Sequence, residues 1–355
     1  MDVDAKDSHA DALARLTGII KLMAQGLKSF HQFHMRECIE TFSQLPLKHR
    51  QSPWVLLYSA RAHFESLNYL EAEKLFTALR RMRPNQLVGM EYYSTTLWHL
   101  RKDKELSHLA QELSTIDRLS PQAWCATGNS FSLTKDHAAA LKAFNRATQV
   151  DPKFAYGYTL TGHEYHASEA FDKAQNAFRT AIRSNPFLYN AWYGLGLIHY
   201  QQEKYDQAEY HFRKALDINR SSTILHCYVG MVLHKTGRID EGLLFFDKAI
   251  QLDPRNTVVK YRKALCLIEM NQHSKALRLL KDVARLAPKE SVIFLKMGHL
   301  YKIAGKTAEA LKSYLTALDL SPKLSSTIKE AIESLNGATP SEIMQELTST
   351  QMPPQ

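Results

Sequence analysis

The amino-acid sequence predicts an all-α protein built from about nine stacked helical hairpins, and three periodic features predict it. A small residue recurs every 34 positions, and in eight of nine units a large aromatic or aliphatic residue follows sixteen positions later. Prolines close most of the units. The nine small residues are Gly26, Ala60, Ser94, Gly128, Gly162, Gly196, Gly230, Ala264 and Gly298. The series needs no insertion or deletion, so we interpret it as an internal repeat.

Each unit has the pattern of two amphipathic helices joined by a short polar turn. Between Trp124 and Pro152, apolar residues fall at helical spacing on both sides of residues 135–136, and the proline ends the second helix. Gly128 allows the two helices to approach closely, and Phe144 fills the space between them. These residue types at this period are the tetratricopeptide repeat (TPR) pattern. We therefore predict a TPR superhelical solenoid with a C-terminal capping helix.

The repeat divides the chain into four parts. We expect a disordered lead-in at residues 1–12, the repeat superhelix at 13–323, a capping helix at 324–337 and a disordered tail at 338–355. The capping helix is predicted because a stack of repeats needs a terminal element with a polar outer face.

Composition argues against several classes of partner. The formal charge is +9, but the 45 basic and 36 acidic residues alternate along the chain, so we expect no nucleic-acid partner. No apolar run is long enough to span a membrane, and the acidic N-terminus does not have the features of a signal peptide. Because the four cysteines are far apart and lack C-x-x-C spacing, we expect buried thiols, with neither disulfides nor metal sites.

The first helix of each TPR hairpin lines a groove. With the small residue placed at position 8 of each unit, positions 2, 5, 6, 9, 12 and 13 face that groove, by the helical period and the geometry of TPR proteins. In the units of Gly128, Gly162 and Gly196 these positions carry amides, aromatic hydroxyls and aliphatic groups, with no Lys or Arg. Such a surface suits an extended peptide. Our candidate binding residues there are Asn129, Tyr156, Leu160, His163, Asn190, Tyr193 and Leu197.

Glu164 is an acid at position 10, which faces the neighbouring repeat and is apolar in the later units. A buried carboxylate without a partner is costly or takes up a proton. Two explanations stay open. Glu164 forms an internal ion pair with a nearby Arg or Lys, such as Arg183, or it is the docking point for the arginine of a ligand, which binds carboxylates with two hydrogen bonds.

The sequence offers no catalytic constellation. The segment His163-Glu164-Tyr165-His166 resembles a zinc-protease helix, but its histidines are three apart where the H-E-x-x-H motif needs four. No phosphate-binding glycine loop and no nucleophile–base–acid set is present. We therefore expect no catalytic residues, no metal and no cofactor.

Four segments resemble the third subunit of the anaphase-promoting complex (cyclosome): Tyr93–Leu100, Pro121–Asn129, Gly162–Tyr165 and Tyr189–Gly196. The last two also occur in the family of the eighth subunit, whereas the Ser-Thr-Thr-Leu-Trp-His-Leu sequence within the first favours the third. The resemblance extends over roughly residues 13–335. It implies a non-catalytic TPR scaffold, located in nucleus and cytoplasm, within a multi-subunit ubiquitin ligase of the cell cycle.

The resemblance also implies partners. These are the other subunits of the complex, the coactivators that recruit substrate, and the processivity subunit; the groove receives the C-terminal Ile-Arg dipeptide of the last two. We expect Glu164 to take the guanidinium of that tail, and Asn129 and Asn190 to bind its backbone or terminal carboxylate. The isoleucine pocket would consist of Leu160, Tyr193 and Leu197, with Tyr156 and His163 alongside.

The sequence departs from that family in one respect. The N-terminal TPR half that forms the family's homodimer and a long disordered insert are not present, so we expect a fragment, a truncated gene model or a shortened paralogue, and leave dimerisation open. Two alternatives are another TPR subunit of the same complex and a peptide-binding cochaperone. A cochaperone needs a clamp of Lys, Arg and Asn, but its positions hold Cys125, Asn129, Leu160, Asn190 and Gly194.

Overall fold

A computed structural model of the chain describes residues 2–321 and 325–333, with side chains from residue 12 onward. The described residues form helices and connecting turns, without a strand. The chain divides into two compact units, residues 1–221 and 222–355, which we describe separately.

The first unit contains thirteen helices among its described residues. They are α1 (Asp2–His31), α2 (Met35–Ser43), α3 (Leu47–Arg50), α4 (Pro53–Glu65), α5 (Tyr69–Met82), α6 (Met90–His99), α7 (Asp103–Ile116), α8 (Pro121–Leu133), α9 (His137–Val150), α10 (Ala155–Ala167), α11 (Phe171–Ser184), α12 (Tyr189–Gln201) and α13 (Tyr205–Ile218). Apart from the single-turn α3, they pair as six antiparallel hairpins.

The second unit contains seven helices among its described residues. They are α14 (Thr223–Lys235), α15 (Ile239–Leu252), α16 (Thr257–Glu269), α17 (His273–Leu286), α18 (Ser291–Ile303), α19 (Thr307–Leu320) and α20 (Ser325–Glu333). The first six form three hairpins, and α20 packs on α19. Over the described parts of both units, the nine hairpins are those that the sequence period predicts.

The predicted boundaries differ from the structure in two places. Helix α1 already begins at Asp2, within the stretch predicted as a disordered lead-in. The repeat pattern does not predict α3, which lies between the first two hairpins. The predicted capping helix corresponds to α20; residues 334–337 and the predicted tail at 338–355 lie outside the described part of the chain.

The two helices of a hairpin meet where the small residue of the repeat faces its aromatic residue. A Cβ atom added to Gly128 would lie 2.3 Å from Cε1 of Phe144, far inside contact distance. The same close approach, below 3.0 Å, recurs in five more hairpins: Gly26 with Phe42, Gly162 with Phe178, Gly196 with Phe212, Gly230 with Phe246, and Gly298 with Tyr314. The sequence period therefore records a packing requirement, because the ring rests directly on the glycine backbone.

The turn inside each hairpin has a common backbone conformation. Lys135 has a φ of 63°, in the left-handed region, and its N–H donates to the carbonyl of Ser132 while Asp136 N–H donates to that of Phe131. This is the Schellman arrangement that ends many helices. Residues with positive φ recur at the same 34-residue spacing: Phe33, Leu67, Arg101, Lys135, Glu169, Glu203, Gly237, Asn271 and Gly305. The turn is thus fixed by backbone hydrogen bonds.

Two expectations from composition can be compared with the structure. All four cysteines are buried, as predicted, and their thiols are free. None of the described helices combines the length and the apolar character that a membrane crossing requires.

We predict that Gly128→Ala destabilises the protein by about 1–3 kcal/mol, because the added methyl group overlaps the Phe144 ring within a tightly packed hairpin. The control is Gly18→Ala in α1, where nothing lies within 4 Å of an added Cβ. That change should raise stability slightly, since alanine favours a helix over glycine. Urea denaturation measures both, and equal shifts of the two midpoints would contradict the packing argument.

Candidate functional site

A group of polar side chains connects the first helices of several hairpins in the first unit. The guanidinium of Arg61, on α4, lies 4.4 Å from the ring centroid of Tyr92 on α6, and its Nη2 donates to the Tyr92 hydroxyl at 3.3 Å. The Phe30 ring of α1 lies 5.0 Å away from the same guanidinium. Tyr92 in turn contacts Tyr156 of α10, with ring centroids 4.8 Å apart.

Hydrogen bonds continue this contact toward α8. The hydroxyl of Tyr156 donates to Oγ1 of Thr95 at 2.9 Å. The side-chain amide of Asn129 donates to the same Thr95 oxygen at 3.1 Å and to Oγ of Ser94 at 2.9 Å. Asn129 and Tyr156 are only 4% and 7% exposed. The structure thus brings two of the predicted binding residues together, but as internal parts of the stack.

A longer connection joins the second hairpin to the sixth. The hydroxyl of Tyr189, at the start of α12, donates to Oε2 of Glu65, at the end of α4, over 2.7 Å. The Tyr189 ring also packs edge-on against Phe33, with centroids 5.4 Å apart. These contacts join residues separated by 124 positions or more in sequence.

A second acid lies close to Arg61. Glu91 of α6 is 8% exposed, and its Oε2 accepts the backbone N–H of Gly89. Burial raises the pKa of Glu91 to about 7, although its own backbone, Arg61 and the Gly89 N–H oppose that shift. Burial also raises the pKa of Glu65 against the Tyr189 hydrogen bond and Arg61. The positive charge of Arg61 therefore offsets the effect of burial on Glu65 and Glu91 only in part.

Arg61 has unused hydrogen-bonding capacity. Among the described residues it donates only to Tyr92, forms no ion pair, and has a buried Nε without an acceptor. We call this set of side chains the polar network; its members are Arg61, Glu65, Glu91, Tyr92, Thr95, Asn129, Tyr156 and Tyr189.

Four members of the polar network were not among the predicted binding residues, because the groove rule was applied only from Gly128 onward: Arg61, Glu65, Glu91 and Tyr92. The same rule in the units of Ala60 and Ser94 places these four residues at groove-facing positions 9, 13, 5 and 6.

The other predicted binding residues lie on α10 and α12, which pack against each other. They are half-buried and so keep some contact with solvent: Leu160, His163, Asn190, Tyr193 and Leu197. The ring of His163 rests edge-on against Phe178, 5.0 Å away. Burial lowers the pKa of His163 to about 4, so its imidazole is neutral near pH 7. No group of three or more potential metal ligands occurs among the described residues.

Glu164 has a partner within its own chain. Its Oε1 lies 2.5 Å from Nδ1 of His137, the first residue of α9, and the glutamate side chain is only 6% exposed. Arg183, the internal partner suggested by the sequence, is exposed and donates instead to Thr180. The structure therefore favours the internal alternative for Glu164, with a histidine of the preceding hairpin as the partner.

Family models described as tetratricopeptide repeat match residues 121–154, 160–223, 233–296 and 293–324. Together they cover more than half of the chain. They agree with the helical hairpins described above.

Curated proteins of the Cdc27 group are similar to part of the chain. It is 45% identical over 150 residues to the human "Cell division cycle protein 27 homolog", covering 42% of this chain and 18% of that protein. It is 40% identical over 145 residues to "Anaphase-promoting complex subunit 3" of Schizosaccharomyces pombe, covering 41% of this chain and 22% of that protein. Protein bimA of Emericella nidulans is 47% identical to the chain over 158 residues, covering 44% of this chain and 20% of that protein. The chain thus spans about a fifth of the length of these relatives. They confirm the resemblance found in the sequence.

Among solved structures, the crystal structure of the APC/C hetero-tetramer Cut9-Hcn1 matches 86% of this chain and 60% of that chain with a TM-score of 0.68. The sequence identity is 16%, so this match supports the fold alone.

We predict that Glu91→Gln alters how stability depends on pH. In the folded protein Glu91 keeps its proton to about pH 7, whereas an ordinary glutamate loses it near 4.5. Its stabilising contribution is therefore complete below about pH 4.5 and is lost as the pH rises through about 7. The glutamine side chain keeps an oxygen that can accept the backbone N–H of Gly89. Between pH 5 and 8 the free energy of unfolding of the wild type should fall by about 2–3 kcal/mol more than that of the variant. Denaturation at several pH values measures this, and parallel pH curves would contradict it.

Proposed function

This chain belongs to the tetratricopeptide repeat proteins, and from that membership we propose that it is a non-catalytic scaffold and adaptor subunit of an anaphase-promoting complex. The observation that carries the proposal is its identity of 40–47% to Cdc27 relatives, one of which is named as a subunit of that complex. The proposed partners are the other subunits, and the proposed location is nucleus and cytoplasm.

We further propose that the groove of the first unit binds the C-terminal Ile-Arg tails of coactivators and of the processivity subunit. Leu160, Tyr193 and Leu197 lie on two neighbouring helices and are half-buried, which supports their role as the isoleucine pocket. Asn190, at the start of α12, is the proposed partner of the tail backbone. Asn129 and Tyr156 act indirectly, since their hydrogen bonds to Thr95 hold α6, α8 and α10 in place.

We predict that a fluorescent peptide ending in Ile-Arg binds the protein, and that Leu197→Ala weakens binding roughly tenfold by opening the isoleucine pocket. Truncation of one side chain in an apolar pocket typically costs about 1–3 kcal/mol. The matched control is Leu244→Ala in the second unit, where the leucine is 70% exposed. Fluorescence polarisation measures the affinities. Equal effects of the two substitutions would contradict the pocket, and tight binding of a peptide ending in aspartate would instead favour a cochaperone.

The scaffold role has a separate test. The tagged chain, expressed in its own organism, should co-purify with other anaphase-promoting complex subunits identified by mass spectrometry. A variant without residues 1–221 should lose any partner that depends on the first unit. Recovery of the intact chain without a single subunit of the complex would contradict the scaffold role, whatever the peptide measurements show.

A further inference from the structure

The first helix of the last described hairpin, α18, is buried on nearly all sides. Eleven of its thirteen residues are buried, whereas seven of thirteen are buried in α14 and six of thirteen in α16, the other first helices of the second unit. In a stack of repeats each hairpin is covered by its neighbours, so a hairpin near the end is expected to be more exposed than those before it. The burial of α18 therefore indicates an additional covering segment.

The additional cover lies on the groove-facing side of α18. Positions 6, 9 and 12 of this unit hold Lys296, His299 and Lys302, which are 0%, 1% and 9% exposed. The same positions of α14 are all half-buried; they hold Tyr228, Met231 and His234. The groove is thus closed at α18 and more open at α14.

Helix α20 accounts for the cover at the end of the stack. Its buried residues, Ile328 and Ala331, belong to the same hydrophobic core as residues of α18 and α19. Its two acids, Glu330 and Glu333, are exposed. Because α20 is used to cap the core, the groove-facing side of α18 is available to the chain that follows, residues 334–355.

The covered side chains define the chemistry of the segment that fits them. Burial of a lysine is costly unless a carboxylate compensates its charge, and this side of α18 carries two lysines. Burial also lowers the pKa of Lys296 to about 8. Positions 2 and 5 of the same side are Val292 and Leu295, both buried. A matching segment is therefore amphipathic, with apolar residues and acids but no cations.

Residues 339–347 have this composition. Glu342 and Glu346 are the only charged residues in the sequence from 338 to 355. Ile343 and Leu347 are four positions apart, so a helix would place them on one face. The segment also starts with the T-x-x-E pattern of a capping box, with proline directly after the threonine, which favours the start of a helix.

The connection from α20 is long enough to bring this segment onto α18. Five residues, 334–338, lie between them and include the turn-forming pair Asn336-Gly337. Five extended residues span up to about 17 Å, at about 3.3–3.6 Å per residue. The axes of packed helices are only about 8–10 Å apart.

We propose that residues 339–347 dock as an amphipathic helix on the groove-facing side of α18, with Glu342 and Glu346 beside Lys296 and Lys302. Two charges of each sign then meet where the lysines leave water, and the apolar face of the segment covers the apolar part of α18. This docked helix replaces part of the disordered tail expected at 338–355. A peptide partner reaches α18 only by displacing it, so the first unit is the open part of the groove.

Hydrogen exchange followed by mass spectrometry tests the docking on the full chain. The amides of residues 341–347 should exchange at least tenfold more slowly than in a synthetic peptide of residues 336–350, because a docked helix protects them. Exchange at the rate of the free peptide would overturn the proposal. Leu347→Ser should speed the exchange several-fold, and the matched control is Met352→Ser, an apolar residue outside the segment. Equal effects of the two changes would contradict docking through the apolar face.

The role of charge is tested by a second pair of variants. Lys302→Gln should also speed the exchange of residues 341–347 several-fold, whereas Lys329→Gln, at an exposed position of α20, should leave it unchanged. Circular dichroism verifies that each variant keeps its helices. If Lys302→Gln and Lys329→Gln behave alike, the carboxylates of the segment do not bind at Lys302.

Cross-linking with a carbodiimide, which joins a lysine amine directly to a carboxylate, identifies the occupant. In a mixture of ¹⁵N-labelled and unlabelled full chain, Lys296 or Lys302 should be linked to Glu342 or Glu346 of the same chain. Links between labelled and unlabelled chains would instead place the segment of a second copy on α18. Protected amides without a link from either lysine to either glutamate would place the segment elsewhere. Both of these results would overturn the assignment.

Discussion

The contact of an aromatic ring with a glycine backbone sets the geometry on which the rest of the structure depends. In six of the nine described hairpins, the ring of the second helix lies where a Cβ of the first would have to be. This contact fixes the distance between the two helices, and the left-handed turn residue fixes how the chain reverses. Because both recur at 34 residues, successive first helices within the first unit present their remaining faces to the same side of the stack. The groove-facing side chains of separate hairpins therefore meet within the first unit.

This local encoding explains why the fold could be predicted from the sequence. The residues that pack a hairpin lie within one repeat, such as Gly128 and Phe144, so their spacing is visible in a single chain. The surface could be predicted only in part. The groove rule named Asn129 and Tyr156 from their positions in the repeat, but it could not show that their hydrogen bonds are already used by Thr95.

Contacts between hairpins were less predictable, for a physical reason. The partner of Glu164 is His137, which lies at the start of a second helix, outside the column of groove-facing positions. The link between Glu65 and Tyr189 joins the second hairpin to the sixth, so it depends on the small rotation that each repeat adds, which the repeat pattern does not specify. Arg61 and Glu65 could have been identified from their groove-facing positions. That each bonds to a tyrosine of another hairpin, and not to the other, is visible only in three dimensions.

Repeat stacks usually behave as one-dimensional arrays, in which each module is stabilised by its immediate neighbours and the ends open first. The Tyr189 contacts with Glu65 and Phe33 add coupling between modules that are not neighbours. Opening of the early modules then also removes contacts from α12. Amide protons of α4 and α12 should consequently exchange with solvent in a correlated manner, and the first unit should unfold more cooperatively than a linear array of the same length.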